Sequence, residues 1–473
     1  MSFSAKSQVE NTLFHMPSLP QSAHYNPGKF LDYNVAITLP GLSGGNFFAS
    51  NSGFSFNDVF RFESDRTVFL PEGLSDAAIK NNTFAVGARA NLFGVYIRTK
   101  KMGFNFRVEE NMEARFSYPK DLVDLIVKGN GHSDYLGKTL EISPKAFAMH
   151  TREFSLGVTR EINEKLNVGA TFRLLFGLGH FDAEGVKFNL TTENRDNYPI
   201  TISAEGEILS SGFTILLDSA LGEQIDDETS EYLTNTDNKG FAIDLGATYQ
   251  LNEKIQIEAS VLNLGSIKWK SYAKKYDITG NAKPYTFTGI DILDVFRDDE
   301  SGSGTSLEEV GDSLETALNY DAIKEGVDID SYTSGLPVQV NIGGRYKLKE
   351  RLYVNALMNG RFYAEEFVPS FSLGATKDLG RIATIATSYN IMKNSINNIG
   401  FGFSLNTPFQ IHLVSDNLIT AALFPKSAQN LNVRFGINMV FGNHEKRMEK
   451  EEKGGKNKEK RKKSPSIKNK KKG

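Results

Sequence analysis

Near the end of the chain, His412, Ser415 and Asp416 carry the side-chain types of a hydrolytic site: a base, a hydroxyl nucleophile and an orienting acid. Within one extended segment they cannot meet, because the base must touch the hydroxyl while the acid holds its far nitrogen. They read as ordinary strand polarity, so no catalytic residue is assigned and no enzyme is expected. His150 and His180 fall on different segments with no third ligand in view, and no metal centre is expected there. Asp328-Ile329-Asp330 lacks the glycine and bidentate glutamate of an EF-hand loop; it reads as solvated acidic loop, with loose surface calcium as the alternative. Gly400-Phe401-Gly402 lies mid-strand rather than ahead of a helix, so it is no phosphate cradle, and glycine there permits bending or close packing. The chain contains no cysteine, which removes disulfides, thiolate metal sites and cysteine nucleophiles. No cofactor is expected.

The elements that hold these residues have period two. Phe241, Ile243, Leu245, Ala247, Tyr249 and Leu251 alternate with Ala242, Asp244, Gly246, Thr248 and Gln250. The same alternation runs from Phe104 to Phe116 and from Leu431 to Phe441. Strict alternation over ten or more residues implies strands with one apolar and one polar face. Such strands exceed the common ~5–6 residues and match the ~9–11 that a tilted strand needs to cross a bilayer. No run approaches the ~18–20 apolar residues of a membrane-spanning helix. The 40% apolar content and mean hydropathy of −0.33 therefore do not exclude a membrane protein, since a barrel strand needs an apolar residue only at every second position. Abundant glycine (42) and phenylalanine (34) suit a large sheet with aromatic girdles.

A charged turn between two alternating strands recurs: Leu156 to Val168, Leu245 to Ile257 and Ile342 to Val354, with a shorter copy from Leu373 to Ile382. Bacterial barrels keep short turns on the periplasmic side and long loops outside. With these turns set inside, strands are predicted at 34–50, 82–98, 103–116, 147–161, 166–180, 239–251, 255–269, 337–348, 352–363, 368–377, 382–391, 398–407, 410–418 and 430–442. The fold class is thus all-β: a transmembrane antiparallel β-barrel of about fourteen strands, both termini periplasmic, with long extracellular loops carrying short helices. Residues 117–146 are predicted to hold a helix bracketed by Pro119 and Gly129, residues 181–238 an extra hairpin (Val186–Thr192 with Ile200–Leu209), and residues 51–81 an irregular crossing. A weakly amphipathic stretch spans Leu307–Leu318.

On the polar face of these strands, Arg107, Arg173, Asp244, Glu258, Asn355, Asn359, Arg361, Asn432, Arg434 and Asn438 are the candidate lumen-lining residues. Facing lipid at midplane would cost an Arg or Lys about 2–4 kcal/mol, which favours the inward placement. They form either a permeation path or a salt-bridged filling. The net charge of −3 conceals two opposed appendages. Glu445–Gly473 carries fourteen Lys/Arg against five Asp/Glu, whereas Pro284–Gly335 carries thirteen acids against two bases. The Lys-rich run reads as a disordered periplasmic tail that would bind peptidoglycan, anionic lipid or an acidic envelope protein, or simply solubilise the chain. Export would leave no role for nucleic acid. Ala5-Lys6-Ser7 fits the small-x-small rule of a processed export signal, an ordinary disordered start being the alternative. Three regions follow: an exported N-terminal segment, 1–33, with a periplasmic or plugging role; the barrel, 34–442; and the tail, 443–473.

Tyr25-Asn-Pro27, Leu39-Pro-Gly-Leu42, Asn51 to Phe60, Pro119 to Gly131 and Asn263-Leu-Gly265 resemble an uncharacterised group of Gram-negative outer-membrane proteins, the family called domain of unknown function 5723. In layout the chain is also similar to fourteen-stranded long-chain fatty-acid transporters and the shuttle barrels of type IX secretion. The resemblance implies an outer-membrane barrel that passes a small, apolar molecule or partners an envelope assembly, and it supplies no catalytic residues. A non-conducting scaffold, an outer-membrane enzyme and a soluble β-rich binding protein are the alternatives.

Overall fold

A computed structural model describes residues 10–63, 67–194, 198–213, 225–281, 326–363, 366–380, 382–392 and 395–443. The Lys-rich tail, the Leu307–Leu318 stretch and most of the acidic segment lie outside the described residues, as does the start of the chain through residue 9.

Fourteen antiparallel strands close into a barrel. In chain order they are β1 (Tyr33–Thr38 and Gly45–Asn51), β2 (Asn81–Arg98), β3 (Met102–Pro119), β4 (Lys145–Glu161), β5 (Leu166–Asp182), β6 (Lys239–Gln250) and β7 (Ile255–Trp269). The second half comprises β8 (Val338–Lys349), β9 (Leu352–Tyr363), β10 (Glu366–Leu379), β11 (Ala383–Met392), β12 (Ser395–Leu405), β13 (Phe409–Ser415) and β14 (Asn430–Asn443). Each strand pairs with the next, and β14 returns to β1 through Tyr33↔Asn443 and Gly45↔Phe435. Closure leaves no edge strand, the condition for putting a sheet into hydrocarbon.

The alternation has the predicted consequence. Phe84, Phe104, Phe172, Phe241, Ile342 and Leu373 are exposed on the outer face, whereas Thr171, Arg173, Asp244, Thr248, Asn341 and Ser372 are buried within. In an aqueous protein such outward side chains would be a defect; here they form the lipid-facing belt.

Three segments depart from the sequence-based boundaries. The strand expected over 34–50 is interrupted: Leu39 to Gly44 stand opposite only Gly436 and Ile437 of β14, so the chain bulges outward and leaves Pro40, Gly41 and Leu42 exposed. Its polar groups are met locally. Leu39 N–H donates to Ser43 Oγ, Ser43 Oγ donates to Ile437 O (2.8 Å), and Ile437 N–H donates to Leu42 O (2.8 Å). Positive φ at Gly41 (69°) and Gly44 (71°) makes the excursion possible without a Cβ clash. The strand expected over 410–418 stops at Ser415, because Asp416 and Asn417 turn their side chains to neighbouring backbone and a short helix, Leu418–Leu423, follows. The segment Ile200–Leu209 is two strands, since Gly206 (φ 128°) breaks it and Glu207–Ser211 pairs back onto the C-terminal end of β5.

The long loops build a cap over one end. Helix Lys120–Lys128, ended by Gly129 at φ 79°, packs with Pro71–Ala77. Thr139–Glu141, Lys187–Thr192, Ile200–Glu205 and Gly280–Asn281 form a separate four-stranded sheet. Residues 51–81 hold two short helices and a two-stranded hairpin, Phe60–Phe62 with Thr67–Phe69.

Candidate functional site

The lumen is occupied by the chain itself. Residues 10–32 run inside the barrel before β1 begins, and Leu13, Met16, Leu19, Gln21 and Ser22 are all but solvent-free. Asp416, just past the C-terminal end of β13, accepts the backbone N–H of Asn11 (3.0 Å) and Thr12 (2.7 Å). The segment then descends: His15 Nε2 meets Ser372 Oγ (2.8 Å), and Gln410 donates to Ser18 O (2.8 Å). It turns upward through Pro20–Tyr25, where Gln21 donates to Asn438 (2.7 Å) and Ser260 and Asn341 both donate to Tyr25 O. Finally it crosses to the far wall, where Thr159 donates to Pro27 O (2.7 Å) and Thr248 to Gly28 O (3.2 Å), before reaching β1. Partners come from strands all round the circumference.

Inward glycines make the room. A Cβ on Gly169 would stand 2.0 Å from Pro27 O, and one on Gly374 would stand 2.6 Å from the His15 ring. At Gly400 and Gly402 it would meet Thr12 Oγ1 (2.3 Å) and Met16 Sδ (2.2 Å), so this pair serves close packing against the plug.

The ten polar residues of the inner face lie in this filling, in three groups. Arg434 forks onto Glu10, whose carboxylate also accepts the Tyr25 hydroxyl (2.6 Å). Glu258 faces Asn26 (3.2 Å) and Lys29 (3.9 Å), Asn438 faces Gln21, and Asn432 holds Asp416 (3.2 Å). These touch the plug or its anchor. Arg173 binds Glu153 (2.8 Å), Asp244 (3.2 Å) and Asn263, while Arg107 lies 3.3 Å from Glu109. Asn355 donates to Thr376 (2.9 Å), Asn359 to Asn341, and Arg361 to Gln339 (3.0 Å), joining wall to wall. Asp416, which anchors the start of the plug, reads in the sequence as strand polarity within the segment 410–418, and nothing beside it points to residues 11 and 12.

The plug also covers an apolar strip. Leu262, Leu357, Ala386 and Val414 project inward from four strands and are buried by Leu13, Phe14, Met16, Leu19 and Tyr25. Beneath the plug lie two polar spaces. One, of about 160 Å³, is bounded by His15, Lys29, Glu258 and Arg345. The other, of about 690 Å³, opens towards the end carrying the short turns and is bounded by Asp32, Arg345, Lys347, Asp378 and Thr407.

The hydrolytic residues are not assembled. His412 faces the lumen with neither ring nitrogen hydrogen-bonded, and Asp416 is engaged by the plug. His150 and His180 sit on opposite faces of the wall. His150 binds Glu110 (2.9 Å) and Tyr232 (2.8 Å) outside, whereas His180 stacks on Trp269 inside and meets Tyr332 (3.0 Å). Asp328 pairs in a short strand with Lys274.

A search of curated proteins finds no match for the chain. Similar solved structures include the Ralstonia pickettii toluene transporter TbuX (10% identity, 93% of this chain and 95% of that one, TM-score 0.41). A Pseudomonas aeruginosa FadL homologue is 9% identical over 94% and 99%, with a TM-score of 0.40. The translocator domain of autotransporter NalP from Neisseria meningitidis is 7% identical over 86% and 88%, with a TM-score of 0.29. All three are too distant to bear on activity. The model described as "Family of unknown function (DUF5723)" matches residues 27–416, a span from the plug's Pro27 to its anchor Asp416, and the chain belongs to that family.

Proposed function

We propose that the protein is an outer-membrane transport barrel, closed at rest by its N-terminal segment, and that a small apolar molecule passes when the segment shifts. The observation that carries this reading is the strip of Leu262, Leu357, Ala386 and Val414, which faces inward and is covered by the plug. A conduit for hydrophilic solutes has no use for such a strip. An apolar molecule lying along it would recover the burial that Leu13, Phe14 and Met16 now supply, at about 25 cal/mol per Å². Hydrogen bonds hold much of the remaining plug, and water replaces each of them at a net cost of about 0.5–1.5 kcal/mol.

A second reading, a non-conducting scaffold, is favoured by the ion pairs that knit one wall strand to the next around Arg173. Conductance and ligand capture separate the two. In planar bilayers the intact chain is expected to be silent, and a variant lacking residues 10–26 is expected to conduct. The deletion variant should also take up an apolar fluorophore that intact protein binds weakly. A deletion variant that folds, yet neither conducts nor binds the fluorophore, would leave only the scaffold.

A further inference from the structure

We propose that the space beneath the plug is an oxyanion-binding site centred on Arg345. This residue points inward from β8 and borders both the 160 Å³ and the 690 Å³ spaces. Its guanidinium lies over the Tyr353 ring, 3.6 Å from the ring centre. Its Nε is shut off from solvent and has no hydrogen-bond acceptor, and among the described residues no carboxylate lies within ion-pairing distance. Four other arginines of the lumen, Arg107, Arg173, Arg361 and Arg434, each have a carboxylate partner. A cation held in a confined space without an anion is costly.

The other charges bordering the two spaces are largely paired among themselves. Lys29 on the plug lies 3.9 Å from Glu258 and Arg351 at the turn lies 3.9 Å from Glu350, while Lys347 on the same strand adds positive charge. Of the remaining acids, Asp32 has a partner of its own and Asp378 accepts from Thr384 (2.8 Å). A planar guanidinium offers parallel donors matched to a carboxylate or phosphate. The larger space admits either group with water around it. The anion could belong to a small solute or to a lipid headgroup reaching the mouth of the barrel, and both present the same oxygens to Arg345. The site exists in the closed barrel, so it stands or falls separately from movement of the plug.

The test is calorimetric titration of the purified full-length chain in a neutral detergent. Inorganic phosphate and acetate form one arm; short-chain phosphatidylglycerol against phosphatidylcholine of equal chain length forms the other. Saturable binding weakened about tenfold or more by Arg345→Gln, the loss of one charge-assisted contact, is the expected result. Arg345→Lys should retain part of the affinity, because it keeps the charge but loses the fork. Lys377→Gln, on the outer face, should change nothing. Binding of the free anions assigns a solute site; binding of phosphatidylglycerol alone assigns a headgroup site. The proposal is overturned if no anion binds at millimolar concentration, or if folded Arg345→Gln binds as the intact chain does.

Discussion

Arg434 and Glu10 are separated by most of the chain, yet each is almost completely buried against the other. Removing one member of such a pair leaves a bare charge and costs about 3–5 kcal/mol, whereas removing both is often nearly neutral. Arg434→Met is therefore expected to loosen the plug, seen as protease cleavage within residues 10–32. The double variant Glu10→Leu/Arg434→Met should restore protection. If the double variant is cleaved as fast as the single, the pair is not what holds the segment. The glycines give a second contrast. At Gly169 the intruding methyl would meet the backbone of Pro27, which cannot step aside, while at Gly402 it meets the flexible end of Met16. Overpacking of about 1–3 kcal/mol is expected for Gly169→Ala and less for Gly402→Ala. Equal protease sensitivity of the two variants would contradict this account. None of these roles was readable from residue type, because nothing in the sequence near position 434 or 169 refers to residues 10 or 27.

The strands were legible because their signal is local. Each outward side chain sits two residues from the next, so the apolar belt is written out along every strand, and Leu373 is an example of its exposed members. Leu373→Arg is expected to cost about 2–4 kcal/mol in vesicle refolding monitored by urea titration, and a neutral result would remove Leu373 from the hydrocarbon. The interruption at Leu39–Gly44 was not legible, since alternation continues on either side and only the register with β14 reveals the extra residues. In the cap over one end of the barrel, helices Pro71–Ala77 and Lys120–Lys128 are joined through Asp124. Burial pushes its carboxyl upward, but hydrogen bonds from Ser75 and Lys120 outweigh that and hold it below the usual carboxylate range. A depressed folded value means that this stabilisation is complete above the unfolded pKa and is lost as pH falls through the folded one. Protection of the amides in these two helices, measured against the unfolded chain at the same pH, should therefore fall below about pH 4, with the barrel strands unaffected. Unchanged protection at acid pH would show that Asp124 does not join them.

At the scale of the whole molecule, closure and filling are separate achievements. The fourteen strands are linked by backbone hydrogen bonds all the way round, so the barrel is expected to survive loss of the plug. A variant lacking residues 10–26 should keep the faster gel mobility of a folded barrel in unheated samples and lose it on boiling. Mobility equal to the boiled form would mean that the plug is part of the fold. The alternation of side chains and the recurring charged turns together determined the architecture, the approximate number of strands and which face of each meets lipid. These follow from a two-residue repeat and the energetic penalty of polar groups in hydrocarbon. Only the tertiary structure decided that the polar interior is filled by residues 10–32, with Asp416, the inward glycines and the apolar strip as its seat. Those contacts join residues hundreds of positions apart, and no local period encodes them.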